Sequence, residues 1–253
     1  DKYHFHRRSL FWMLRGADAV ITQTEFESKF LAARGVDADK IFTAGMGVFP
    51  EEFRGIRRDT AKEKMRFNES DFVVLFLGRK AEYKGIKSIL DAVRILSKRY
   101  PVKGLLVGPE TSYSNHLMRS EPYAQLLNTG EVVNLGSLLG TEKLEALAAS
   151  DVLVLPSLYE SFGGVILEAW MSEIPVIALK TEVTKHVVDQ QSDGLLLENS
   201  DPIELAKAIE YVMRDTEHAR DMARRGKQKV LAQYTWYHIA EKVEEALRYA
   251  VEK

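Results

Sequence analysis

The chain has 253 residues, 45% hydrophobic and 28% charged, with a formal net charge of −2, six histidines and no cysteine. That length buries roughly 70–75% of the unfolded surface in one large or two small domains, and the near-neutral charge gives no bulk attraction for nucleic acid. Without cysteine there are no disulfides or thiolate metal sites, histidines scattered apart from His4 and His6 give no zinc spacing, and no apolar run nears the roughly 20 residues of a membrane span, so a cytoplasmic protein without a signal-peptide pattern is expected.

In chain order, a basic and aromatic helix is predicted from Tyr3 to Arg15, a strand at Ala19–Thr22, a helix near Glu25–Arg34 and a strand at Ile41–Ala44. Two strands make half a sheet at best. Turn signals fill the segment Met46 to Gly55. From residue 72 onward, short apolar runs at Phe72–Leu77, Lys103–Val107, Glu131–Leu135, Val152–Leu155, Ile174–Ala178 and Gly194–Leu197 read as strands with helices between them. The clearest helix is 85–99, where Ile86, Ile89, Leu90, Val93 and Leu96 form one apolar stripe and Lys87, Asp91 and Arg94 the polar face. Strands apolar throughout, alternating with helices, predict an α/β Rossmann-like, doubly wound parallel sheet. Such sheets bind ligands beyond the carboxyl ends of their strands, here marked by Gly78, Gly108, Gly136 and Pro156. After Asp201 the chain reads as charged helices ending in a long amphipathic stretch.

Two segments at those strand ends carry chemistry. Residues 77–85 read Leu-Gly-Arg-Lys-Ala-Glu-Tyr-Lys-Gly and place Arg79 and Lys84 in one loop. The lysine precedes a glycine with no Ser or Thr to hold Mg²⁺, so this is not a P-loop. Residues 156–178 read Pro-Ser-Leu-Tyr-Glu-Ser-Phe-Gly-Gly-Val-Ile-Leu-Glu-Ala-Trp-Met-Ser-Glu-Ile-Pro-Val-Ile-Ala. Here a strand runs into a Gly-rich turn, a helix and a second strand, with carboxylates at Glu160 and, two turns into the helix, Glu168. Free amides of the turn Ser161-Phe162-Gly163-Gly164, at a helix N-terminus, suit a phosphate or sugar oxygen. Glycosidase chemistry would need an acid and a nucleophile or base on opposite sides of one bond, which two glutamates beside such a turn do not fit. The plain alternatives are solvated loop cations at Arg79 and Lys84, a helix-capping Glu160, an exposed Glu168 and a core Leu138. Trp170 is assigned to packing.

The second segment resembles the Glu-x7-Glu signature of the retaining glycosyltransferases of family 4, which have the two-domain GT-B fold. The resemblance implies that Arg79 and Lys84 contact the donor phosphates and that Glu160 accepts hydrogen bonds from the donor sugar. It makes Ser161, Phe162, Gly163, Gly164, Glu168 (on the ribose hydroxyls) and Leu138 (against the base) donor-binding residues. Arg79, Lys84 and Glu160 are the implied catalytic set, acting on a UDP- or GDP-sugar donor and a carbohydrate or lipid-linked acceptor with no metal or other cofactor. Residues 17–21, 40–41 and 47–53 resemble the exit from the family's acceptor-binding domain. By that resemblance, 1–50 is a remnant of the acceptor domain, 51–58 the linker, 59–235 the donor domain and 236–253 a crossing helix after Tyr234-Thr235-Trp236. The chain alone is then expected to be inactive, because the upstream part carries the rest of the reaction centre. A non-catalytic nucleotide-binding module and a disaccharide or disaccharide-phosphate synthase of the same fold are the competing readings.

The sequence departs from the family pattern at two places. Glu182-Val183-Thr184-Lys185-His186 stands where relatives have a Gly-Gly turn and a glutamate, and Glu173-Ile174 replaces the usual glycine before Pro-Val-Ile, which predicts a different turn there. The stripe His4, Phe5, His6, Arg7, Arg8, Phe11 and Trp12 is basic and aromatic. It is read as packing inside the upstream domain, with peripheral membrane contact as the competitor.

Overall fold

The computed structural model describes residues 2–252, with side chains described from Ser9 onward. His4, Phe5, His6, Arg7 and Arg8, and with them the His4/His6 pair, lie outside the described side chains. The described residues form two sheets. The smaller pairs β1 (Val20–Thr22) with β2 (Ile41–Thr43) in parallel and carries α1 (Lys2–Gly16) and α2 (Glu25–Ala32). Thr24 opens α2 with a reciprocal capping box to Glu27, satisfying two of the donors a helix start leaves free. Phe11 of α1 reaches Phe30 of α2, while Trp12 is 77% exposed.

The larger sheet has six parallel strands, β3 (Phe72–Leu77), β4 (Val102–Val107), β5 (Val132–Leu135), β6 (Val152–Leu155), β7 (Val176–Leu179) and β8 (Leu195–Leu197), in the order β5-β4-β3-β6-β7-β8. The order reverses between β3 and β6, which makes their carboxyl ends the topological switch point. Alternate residues of β3 explain the double winding. Val73, Leu75 and Leu77 enter one core with α3 (Arg58–Lys64), α7 (Gly140–Ala148) and α8 (Gly164–Met171). Val74 and Phe76 enter the other, with α4 (Ile86–Leu96), α5 (Ser112–Arg119), α6 (Tyr123–Asn128) and α10 (Pro202–Arg214). Burial on both faces is why the central strands β3, β6 and β7 read as unbroken apolar runs. Asp91, expected on a solvated face of α4, is instead buried and accepts hydrogen bonds from Lys87, Arg94 and the Tyr123 hydroxyl.

After α9 (Thr184–Val187), α10 and α11 (Thr216–Gln233), the helix α12 (Trp236–Val251) returns to the smaller sheet, where Tyr249 meets Phe42 edge to face at 5.3 Å. Val48 N–H donates to the Tyr234 carbonyl and Trp236 N–H to the Val48 carbonyl, both at 3.0 Å. No helix among the described residues is long and apolar enough to cross a membrane.

After α8, where the absence of the usual glycine predicts a different turn, the chain takes a left-handed one. Glu173 takes φ 57°, its N–H bonds to the Trp170 carbonyl, and Ile174 N–H bonds to the Ala169 carbonyl. This is a Schellman ending, in which glycine is favoured at the left-handed position. Glu173 gains only an exposed pair with Lys227 in return, worth about 0–1 kcal/mol, against a left-handed cost of about 1–2 kcal/mol for a side-chain-bearing residue. Glu173→Gly should therefore stabilise the chain by about 0.5 kcal/mol once the larger freedom of glycine in the unfolded chain is counted. Urea unfolding reads this directly, and destabilisation by more than about 1 kcal/mol would contradict it.

Candidate active site at the switch point

Two loops leave the carboxyl ends of β3 and β6 and are held together by backbone. Leu158 N–H donates to the Tyr83 carbonyl at 2.8 Å. Gly85 takes φ 70°, and a Cβ there would lie 2.6 Å from the Pro156 carbonyl oxygen, so any larger residue would push the loops apart.

Across this junction Lys84 Nζ lies 2.6 Å from Glu160 Oε1 and 3.3 Å from the Tyr159 carbonyl. The Lys84 and Glu160 side chains are only 16% and 9% exposed. Glu160 is thus neither a helix cap nor a free surface charge, and the N-cap position is Gly163, with no side-chain cap. Arg79 is exposed and has no side-chain partner among the described residues. An exposed guanidinium in the same loop as Lys84 is available to an anion.

The helix α8 begins at Gly164, so Glu168 lies one turn in rather than two. Ile166 N–H bonds to the Gly163 carbonyl, and no protein acceptor meets the N–H groups of Gly163, Gly164 and Val165 among the described residues. These amides lie at the positive end of the helix dipole, a geometry that suits an anion. Phe162 can contribute its backbone only, since its ring is buried edge to face on Tyr234 at 5.7 Å. It also borders a cavity of about 240 Å³ shared with Gln23, Thr43, Gly45, His186 and Lys242. Ser161 is exposed beside it.

Glu168 Oε1 accepts from Lys143 Nζ of α7 at 2.8 Å, while its Oε2 is buried without a partner among the described residues. Ser157 Oγ and Asn134 Oδ1, on segments at the same edge of the sheet, are also buried and unpartnered. A buried polar atom left unsatisfied costs about 1–3 kcal/mol, so unused hydrogen-bonding capacity gathers at this edge. Leu138 packs against the core and lines a hollow with Met65, Leu135 and Thr141. Trp170 is fully buried, and its Nε1 donates to the Asp193 carbonyl at 2.9 Å. The departing segment 182–186 forms the start of the short helix α9, with Thr181 and Thr184 bonding one another.

Sequence reasoning missed two lysines. Lys143 sits on the exposed-looking face of α7, and nothing in its spacing points to Glu168. Lys80 is fully buried, with Nζ 2.5 Å from Glu110 Oε1 and bonded to the Leu135 carbonyl. Burial pushes the Lys80 ammonium below its ordinary range, with Glu110 opposing the shift. For Glu110 burial acts upward, but hydrogen bonds from Lys80, Ser114 and Asn134 hold its carboxyl below the usual range. Among the described residues no group of three or more His, Asp or Glu could hold a metal ion.

The model of the family described as glycosyl transferases group 1 matches residues 57–229, well over half of the chain and including Arg79, Lys84, Lys143, Glu160 and Glu168. The chain belongs to the group 1 glycosyltransferases. Within that family it is 30% identical over 244 residues to a D-inositol 3-phosphate glycosyltransferase of Corynebacterium urealyticum, a match that covers 92% of this chain and 57% of the relative. The chain spans about half the length of the curated relatives it matches, 52%, 57% and 55% for the first three. Sucrose-phosphate synthase from Thermosynechococcus elongatus superposes with a TM-score of 0.80 at 27% identity, over 94% of this chain and 59% of that one. Anabaena HepE, solved in complex with UDP and glucose, superposes with a TM-score of 0.77 at 23% identity, over 92% of this chain and 63% of its own, and so bears on the fold alone. The group 1 domain thus has the α/β parallel sheet of the GT-B glycosyltransferases.

Proposed function

We propose that this domain binds the nucleoside diphosphate of a nucleotide-sugar and that the whole protein transfers the sugar, a hexose, to an acceptor hydroxyl with retention of configuration. Glu160 and Glu168 act as the Glu-x7-Glu pair of a family 4 enzyme, and the reaction belongs to the cytosol. The observation that carries this reading is the meeting, at one switch point, of a free Arg79, Lys84, the unused amides of Gly163 to Val165 and a Glu168 oxygen without a partner.

Each part answers a need of the chemistry. As the bond to the anomeric carbon breaks, negative charge grows on the leaving diphosphate. Cations and oriented N–H groups already aimed at that place lower the barrier because they need no reorganisation. Arg79 and Lys84 supply this charge from the protein's own side chains, so the proposal includes metal independence. A diphosphate oxygen on the same face as the acceptor takes its proton, which preserves the configuration. Glu160 receives sugar hydroxyls and Glu168 the ribose hydroxyls, so both orient the donor rather than attack it. UDP is the first nucleotide to test, because the Anabaena neighbour was solved with it.

Calorimetric titration of the chain with UDP, GDP, ADP and their sugar conjugates, with EDTA present, tests the reading. One nucleotide should bind selectively, and Glu168→Ala should weaken it about tenfold, the loss of one hydrogen bond to a charged group. Binding of none, or equal binding of all with no effect of Glu168→Ala, would remove the donor-site assignment.

A further inference from the structure

We infer that Lys80 is a positioning residue for nucleotide binding: the ion pair between its buried ammonium and Glu110 clamps three strand ends and thereby aims Arg79. The inference rests on the phosphate role given to Arg79 above.

The backbone on either side of Arg79 is tied down. Gly78 N–H bonds to the Val107 carbonyl at 2.9 Å and Lys80 N–H to the Pro109 carbonyl at 3.0 Å. The Thr111 hydroxyl donates to the Lys80 carbonyl at 2.8 Å. The Arg79 side chain has no partner among the described residues, so this backbone alone fixes the point from which it extends.

The Lys80 side chain turns inward where Arg79 turns outward. Its Nζ joins Glu110, on the loop after β4, to the Leu135 carbonyl at the end of β5. Glu110 is fixed in turn, accepting from Asn134 Nδ2 at 3.1 Å on Oε1 and from the Ser114 hydroxyl at 2.7 Å on Oε2. One ammonium therefore links the exits of β3, β4 and β5. A fully buried lysine is costly to desolvate, and burying it as an ion pair often adds nothing to stability over an apolar side chain of like size. Such a pair fixes geometry rather than adding to the stability of the core. A displacement of about 1 Å at a binding group can cost on the order of a hundredfold in function.

A double-mutant cycle tests this with UDP as the probe. Lys80→Met keeps most of the volume and removes the charge. Glu110→Gln, at a carboxylate whose side chain is 31% exposed, breaks the same pair more gently and serves if Lys80→Met folds poorly. Each should weaken UDP binding about tenfold in the wild-type background and by less than about twofold when Arg79 is already alanine, the non-additivity expected of coupled neighbours. Two results overturn the inference: a lowered melting temperature with unchanged UDP affinity, or an equal loss in both backgrounds. UDP binding unaffected by Arg79→Ala would remove the phosphate assignment itself and with it any role for Lys80. A wild-type chain that binds UDP while both clamp variants are silent would sink the clamp alone.

Discussion

Replacing Arg79 and Lys84 together by alanine should weaken binding of a nucleoside diphosphate by a factor on the order of 10²–10⁴, since each charge-assisted contact contributes about 1.5–3 kcal/mol. The two residues differ in what else their loss does. The Arg79 side chain has no partner among the described residues, so Arg79→Ala should leave the melting temperature unchanged and report on the ligand alone. Lys84→Ala strands Glu160, whose side chain is 9% exposed, and should also destabilise the fold by about 1–3 kcal/mol. Calorimetry with UDP and a thermal melt of the same samples separate the effects. Full affinity in a folded double variant would contradict the phosphate role. Glu160→Gln is the matching control: UDP itself should bind nearly as before, while the extra affinity contributed by the sugar of UDP-glucose should shrink.

Trp170→Ala should cost about 3–5 kcal/mol of stability, the range for emptying a large aromatic site in a core. At about 2–4 °C per kcal/mol for a chain of this size, the melting temperature should fall by on the order of 10 °C. The indole sits at 0% exposure between α8 and α11, and a Cβ at Gly226 would lie 2.4 Å from its ring. Gly226→Ala should therefore cost about 1–3 kcal/mol through overpacking. In the Trp170→Ala background the same change should cost almost nothing, because the space is open. Trp170→Phe should fall between, as the Asp193 carbonyl loses its donor. A cost for Gly226→Ala that is the same in both backgrounds would mean that the contact is not what limits the site.

The sheet could be read from the sequence because its central strands are buried on both faces, and runs such as Phe72–Leu77 therefore carry no polar interruption. Boundaries failed where local chemistry intervened: β7 starts at Val176 rather than Ile174, because Ile174 closes the Schellman turn after α8. Asp91 looked like a surface residue because helical spacing cannot show that Tyr123, from another helix, covers it. The same reason hid Lys80 and Lys143. Arg79, Lys84, Glu160 and Glu168 fall in two short segments with distinctive spacing, whereas Lys80 acquires its meaning from Glu110 and Leu135, and Lys143 from Glu168, far along the chain. A lysine has no sequence mark for burial; only the carboxylate just beyond the next strand, Glu110, hinted at a partner.

The chain passes between its two sheets twice, once near Val48 and once near Thr235, and those passages lie side by side, bonded in both directions. Gly47 permits this, since a Cβ there would sit 2.7 Å from the Trp236 nitrogen. A lone connector can bend and twist in any direction, but two connectors joined along their length behave as a door hinge does. Bending about the line through the pair strains neither, whereas twisting one half against the other must first break the bonds between them. Any motion of the two halves is thereby reduced from three rotational freedoms toward one.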